Sequence, residues 1–172
     1  SMSLELLLAP PAAPIVKGVQ LQCFGAVPVP RGARSLYKFL PEVDMGIVHH
    51  MIMYAVSGPQ DGGRSREHSG CDKGRILYAW ARTGQKTPLG LDFRDVRPSG
   101  AAYAVGPHSQ IEWLALQIHY QQMSSKVPID GSGVRLWFDT SPPIEPLELH
   151  YMMSIKLLIP PRRFFDEVFA LE

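Results

Sequence analysis

Ile111-Glu112-Trp113-Leu114-Ala115-Leu116-Gln117-Ile118-His119-Tyr120 sorts its side chains by parity. Leu114, Leu116, Ile118 and Tyr120 share one face, and Ile111, Trp113, Ala115, Gln117 and His119 share the other. A period of two belongs to a β-strand. The even face is the oilier and is expected to look into the core. Gln117 and His119 then project from the opposite side, where something must pack or a ligand must sit.

Outward from this strand, prolines and glycines punctuate short β-branched and aromatic runs that show no sustained helical period. The reading is all-β, with strands over Val19 to Phe24, Leu36 to Phe39, Ile47 to Val56, Arg75 to Ala81, Ala101 to Val105, Ile111 to Gln121, Val134 to Asp139 and Glu148 to Ile159. So many short strands in one domain suit an antiparallel β-sandwich of jelly-roll type. Ser57 to Gly70 and Thr83 to Gly100 read as loops long enough to carry function, and Phe164 to Leu171 suits a short terminal helix.

At 172 residues, 45% hydrophobic and 19% charged, the chain can bury one core and is too apolar for disorder. Its longest oily stretch, Leu4 to Val16, is broken by prolines, which excludes a membrane span. A formal charge of +1 offers no electrostatic grip on nucleic acid or an anionic membrane.

Six histidines are the nitrogen ligands available: His49, His50, His68, His108, His119 and His150. His49 and His50 are adjacent in the apolar run Ile47-Val48-His49-His50-Met51-Ile52-Met53. Imidazoles among aliphatics need partners for their ring nitrogens, and either hydrogen bonds or one shared metal ion supplies them. Successive residues of a regular strand face opposite sides. A shared ion therefore requires a local irregularity, or coordination through Nδ1 of one ring and Nε2 of the other. His119 is the third candidate. Three imidazoles without thiolate or carboxylate suit copper or zinc and leave a coordination position open.

His68 and His108 read as surface residues in loops, and nothing obliges His150 to join a site. Asp44, Glu112 and Asp139 show no spacing that makes a hydrolytic pair. There is no HExxH, CxxC, nucleophile elbow or phosphate-cradling loop. Cys23 and Cys71 are the only cysteines. A disulfide between them would contribute about 4 kcal/mol in the chain-entropy model, and a reduced buried pair is equally compatible with their number.

Four segments then occur in a meaningful order: His49-His50-Met51; Cys71-Asp72-Lys73 followed by Ile76-Leu77-Tyr78-Ala79-Trp80-Ala81-Arg82; Leu116-Gln117-Ile118-His119-Tyr120; and Tyr151-Met152-Met153-Ser154 followed by Ile159-Pro160-Pro161. Together they resemble the N-terminal half of the catalytic core of peptidylglycine α-hydroxylating monooxygenase, in the copper type II ascorbate-dependent monooxygenase family. Dopamine β-monooxygenase shares the His-His-Met and His-Tyr elements, but the Ile76 to Arg82 and Met152 to Ser154 segments sit closer to the peptidylglycine enzyme.

The resemblance implies a core of two jelly-roll-like domains, each holding one copper. His49, His50 and His119 match the three ligands of the N-terminal copper, which stores an electron drawn from ascorbate and passes it on. Oxygen and a glycine-extended peptide react at the second domain, on the way to peptide amidation in the secretory pathway lumen or outside the cell. Met51 is expected beside the site, as a weak axial neighbour or in packing. Gln117 is expected to hydrogen-bond near it or to stand as a surface glutamine. Cys23 and Cys71 match a disulfide pair of the family, while Ala55 stands where a cysteine is usual.

The expected organisation is an N-terminal extension over residues 1–18, the three-histidine copper domain over 19–161, and a tail over 162–172 leading toward a second copper domain that this sequence lacks. No His-x-His of that second domain occurs here. The expectation is copper binding and redox cycling without substantial hydroxylation by this chain alone. The alternatives are a non-catalytic copper-binding β-sandwich module and a dopamine β-monooxygenase-like hydroxylase domain.

Overall fold

The computed structural model describes residues 3–8, 13–14, 21–58, 71, 74–82, 88–95, 100–121 and 129–150. Among these run β1 (Ser3–Leu8), β2 (Ala13–Pro14), β3 (Leu21–Pro28), β4 (Ser35–Glu42), β5 (Val48–Val56), β6 (Arg75–Ala81), β7 (Leu91–Asp92), β8 (Ala101–Ala104), β9 (Trp113–Tyr120), β10 (Ile129–Asp130), β11 (Gly133–Asp139) and β12 (Glu145–Pro146). The larger sheet has the order β1-β11-β4-β8-β12 with β7 added on β4, the smaller one β3-β9-β5-β6, and β10 pairs with β2. Every ladder is antiparallel except the two-residue contact of β12 with β8. The protein is an antiparallel β-sandwich, as the strand parities predict.

The inner faces of the two sheets make one core. Leu36 and Phe39 of β4 and Val134, Leu136 and Phe138 of β11 meet Met51 and Met53 of β5 and Leu114, Leu116, Ile118 and Tyr120 of β9. Phe39 stacks on Tyr78 of β6 with ring centroids 5.0 Å apart, and the Tyr103 hydroxyl donates to the Leu77 carbonyl at 3.0 Å, tying sheet to sheet. Each large side chain so buried is worth about 1.5–3 kcal/mol, so the core rather than any bound ion holds the sandwich together.

The turn leading from β8 toward β9 depends on Gly106. Its φ is +83°, and a Cβ there would stand 2.5 Å from the Ala33 carbonyl oxygen. Its N–H donates to the Ile111 carbonyl at 2.8 Å. Only glycine combines that conformation with so close an approach.

Strand β6 coincides with the predicted Arg75 to Ala81. Other segments differ. Ser3–Leu8, inside the stretch read as an N-terminal extension, pairs with β11 along its whole length. Leu4, Leu6 and Leu8 point inward, but Leu7 between them hides the alternation. Part of the predicted loop Thr83 to Gly100 is structured. Leu91–Asp92 pairs with β4, and a 3-10 turn at Phe93–Asp95 sets Phe93 edge-on to Phe39 and Tyr103. The last predicted strand is corrected at its start: Glu148 to His150 are exposed and not in a strand, and the preceding Glu145–Pro146 makes the contact with β8 instead. The remainder of that strand and the Phe164 to Leu171 helix lie outside the described residues.

Candidate metal centre

The smaller sheet positions the imidazoles. On β9 the parity is regular, so Leu114, Leu116, Ile118 and Tyr120 face the core and His119 stands at the end of the opposite face. On β5 the parity is broken where it matters. Val48 pairs with Tyr120 and His50 with His119, so His49 is an extra residue in a β-bulge. Val48 and Met51 are both buried in the core although three residues apart, and the two histidines between them are left outside it. A bulge sets two residues of one strand against one of its neighbour and re-aims their side chains. The local irregularity required for a shared ion is present at His49.

The three rings converge. Nδ1 of His49 lies 3.0 Å from Nδ1 of His50, which lies 3.3 Å from Nδ1 of His119. The ring centroids are 5.3, 5.3 and 4.6 Å apart. Two nitrogens bound to one ion at about 2 Å stand about 2.8 Å apart at a right angle and about 3.5 Å apart at 120°, so these spacings fit donors of a common ion. Among the described residues this is the one group of three or more His, Cys, Asp or Glu close enough to hold a metal, with its donor atoms within 4.8 Å of one another. His49 is exposed, and His50 and His119 are half-buried.

Electrostatics favours the neutral rings that a metal needs. Burial lowers the pKa of His50 first, and the neighbouring His119 and His49 lower it further. Burial likewise lowers that of His119, with His49 adding to it. Each cause disfavours the imidazolium and leaves a lone pair for a cation.

Beside His119 on the same face of β9, Gln117 is buried and its Oε1 accepts a hydrogen bond from the Tyr54 hydroxyl at 3.3 Å. It is not a surface glutamine. Cys23, opposite Gln117 in the β3–β9 ladder, forms a disulfide with Cys71 across a Cα separation of 5.8 Å. With Tyr54, Val56 and Ala115 the two cysteines form a second apolar cluster on this outer face. Met51 is fully buried in the main core between Trp80 and Ile118 in the ladders, beneath the sheet that carries the imidazoles.

The other sequence candidates do not join the site. His108 sits exposed in a turn with φ of 72°, and His150 lies exposed, 3.6 Å from the Glu148 carboxylate. His68 lies outside the described residues. Asp44 and Asp139 accept backbone N–H groups of their own turns, from Gly46 and Ser141, and Glu112 is exposed. Tyr54 and Asp130, which hydrogen-bond to Gln117 and Tyr120, are not singled out by the residue pattern. Asp130 is a carboxylate only 2% exposed, and a lone Asp before a Gly-Ser-Gly turn carries no signal of burial.

No family model matches the chain. Among curated proteins, it is 33% identical over 128 residues to a peptidyl-glycine alpha-amidating monooxygenase of Mus musculus, 72% of this chain and 12% of the relative. The Rattus norvegicus protein of that name is 32% identical over 128 residues, again 72% of this chain and 12% of the relative. A Xenopus laevis form, A, is 28% identical over 130 residues, 72% of this chain and 13% of the relative. The chain thus spans about one eighth of the length of the relatives it matches.

Proposed function

The chain belongs to the peptidylglycine alpha-amidating monooxygenase family over the stretch it shares with these relatives, and from that premise we propose that it is the three-histidine, electron-transferring copper domain of a peptide-hydroxylating oxidoreductase. The observation that carries the reading is the convergence of His49, His50 and His119 through the bulge in β5. Copper held there would supply a one-electron couple, filled from ascorbate and drawn on by a second copper domain that hydroxylates the α-carbon of a C-terminal glycine on the way to amidation.

The chain's own residues do the rest. Three neutral imidazoles provide donors that both oxidation states of copper accept. They stand on adjacent strands at the centre of a four-stranded sheet backed by the core, so the donors keep their places when the charge changes. The exposed edge of His49 leaves the site reachable by a small reductant. Gln117, held by Tyr54, fixes the polar ground beside His119. The domain proposed over residues 19–161 extends N-terminally to take in β1, which pairs with β11 and buries Leu8 in the core.

The disulfide supports a lumenal or extracellular setting, where oxidised cysteines persist. Among the described residues no helix is long and apolar enough to cross a membrane. The partners in this reading are the second copper domain and, in the whole enzyme, a glycine-extended peptide.

Copper titration followed by paramagnetic resonance tests the assignment. One cupric ion per chain with nitrogen hyperfine structure is the expected result, lost in His119→Ala. A protein indifferent to cupric salt would refute it. The same sample with ascorbate should reduce its copper yet leave a glycine-extended peptide unchanged.

A further inference from the structure

From the core face of the sheet that carries the imidazoles runs a polar chain that no step above uses, buried at Tyr120, Asp130 and Ser132 and reaching the exposed Asp44. Tyr120, bonded to His119, is 2% exposed, and its hydroxyl donates to Asp130 Oδ2 at 2.7 Å. Asp130 Oδ1 accepts the Ser132 N–H at 2.8 Å. Ser132, itself 3% exposed, accepts the Asp44 N–H on its hydroxyl oxygen at 2.9 Å. The Asp44 carbonyl then accepts from Ile47 N at 3.1 Å and Val48 N at 3.0 Å, and Ile47 O accepts from Gln121 N at 2.8 Å.

The chain therefore begins at the neighbour of one imidazole and ends at the neighbour of another. Val48 and Tyr120 are themselves ladder partners, the pair that flanks the bulge. If β5 entered the sheet one residue later, His49 would take the place of Val48 opposite Tyr120 and the two-against-one arrangement would vanish. A buried carboxylate with both oxygens occupied resists such a slip, because releasing either bond strands a polar group away from water.

We propose that Asp130 is a positioning residue of the three-imidazole site: through Tyr120 on one side, and through Ser132 and Asp44 on the other, it sets the register that places His49 in the bulge. This rests on the reading of the three imidazoles as a metal centre.

The test compares wild type, Asp130→Asn and Ser132→Ala, with Phe138→Leu in the facing sheet, outside the polar chain, as a control for simple loss of stability. Cupric affinity is measured by titration and site geometry by paramagnetic resonance. Both network variants should bind copper about ten- to a hundredfold more weakly and show altered hyperfine splitting. Phe138→Leu should lower the melting temperature and leave both unchanged. Ser132→Ala keeps the test open if Asp130→Asn fails to fold, since it cuts the same chain without touching the carboxylate. Wild-type affinity and spectrum in a folded network variant, or equal changes in Phe138→Leu, overturn the proposal. A wild-type protein that takes up no copper overturns the metal reading itself, which the wild-type arm reports separately.

Discussion

His50 stands opposite His119 across the β5–β9 ladder with Nδ1 atoms 3.3 Å apart, and His49 is the residue that the ladder skips. The site is therefore a product of the bulge as much as of the residues in it.

Deleting His49 should heal the ladder. Val48, His50 and Met51 would then alternate in, out, in, as a regular strand requires. The variant is expected to fold with a melting temperature within a few degrees of wild type, while cupric affinity falls at least a hundredfold because two imidazoles remain. Thermal melts paired with copper titration check both halves.

Acid should destabilise the metal-free protein through the same rings. Burial and mutual repulsion lower the folded-state pKa of His50 and His119 below their usual value, so the unfolded chain takes up protons first. Stability is full above about pH 6.5 and declines as pH falls toward the lowered values. Melts of copper-free wild type from pH 8 to 5 should show this decline, and His119→Ala should show less of it. A steeper decline in the variant would contradict the mechanism.

A second acid limb belongs to Asp92. The hydrogen bond from Arg94 holds its carboxyl down to about 2, with Lys38 contributing less. Its stabilisation is present above about pH 4 and lost as pH falls through the lowered value. Arg94 is largely exposed, so screening keeps the effect below about 1 kcal/mol. Asp92→Asn should flatten the unfolding curve between pH 4 and 2, lying below wild type at pH 7 by that same amount and meeting it near pH 2.

Opening the Cys23–Cys71 bridge should cost about 4 kcal/mol by chain entropy. Cys23 faces Gln117, two residues from His119, so reduction is also expected to loosen the outer face beside the imidazoles. Chemical denaturation of oxidised and of reduced, alkylated protein measures the first effect. The copper spectrum under both conditions measures the second.

Gly106→Ala should destabilise by about 1–3 kcal/mol, because alanine pays for the left-handed backbone and meets the Ala33 carbonyl. A midpoint shift in denaturant with unchanged slope is the expected signature.

The strand parities were legible along the chain because side-chain direction follows from each strand's own backbone. Leu114 through Tyr120 announce their inner face, and Arg75–Ala81 its limits. The histidines were legible as candidates because imidazoles next to one another in an apolar run demand partners. Less legible was β7, whose two residues form a strand only because β4 offers a free ladder position and Phe93 finds the Phe39 and Tyr103 rings. Asp130 was not legible at all, since its burial depends on Tyr120 and Ser132 arriving from two sides.

Sequence by itself determined an all-β chain with Leu116 and Ile118 inside and His119 out, because periodicity is a local property. It also named the donor types that a metal would require. Only the tertiary structure decided that His49 and His50 leave the core on the same side of β5 and meet His119. A bulge is a relation between two strands, and the hydrogen bond by which we propose its position is held runs from the Asp44 N–H to the Ser132 hydroxyl, 88 positions away. No single segment of the chain contains that information.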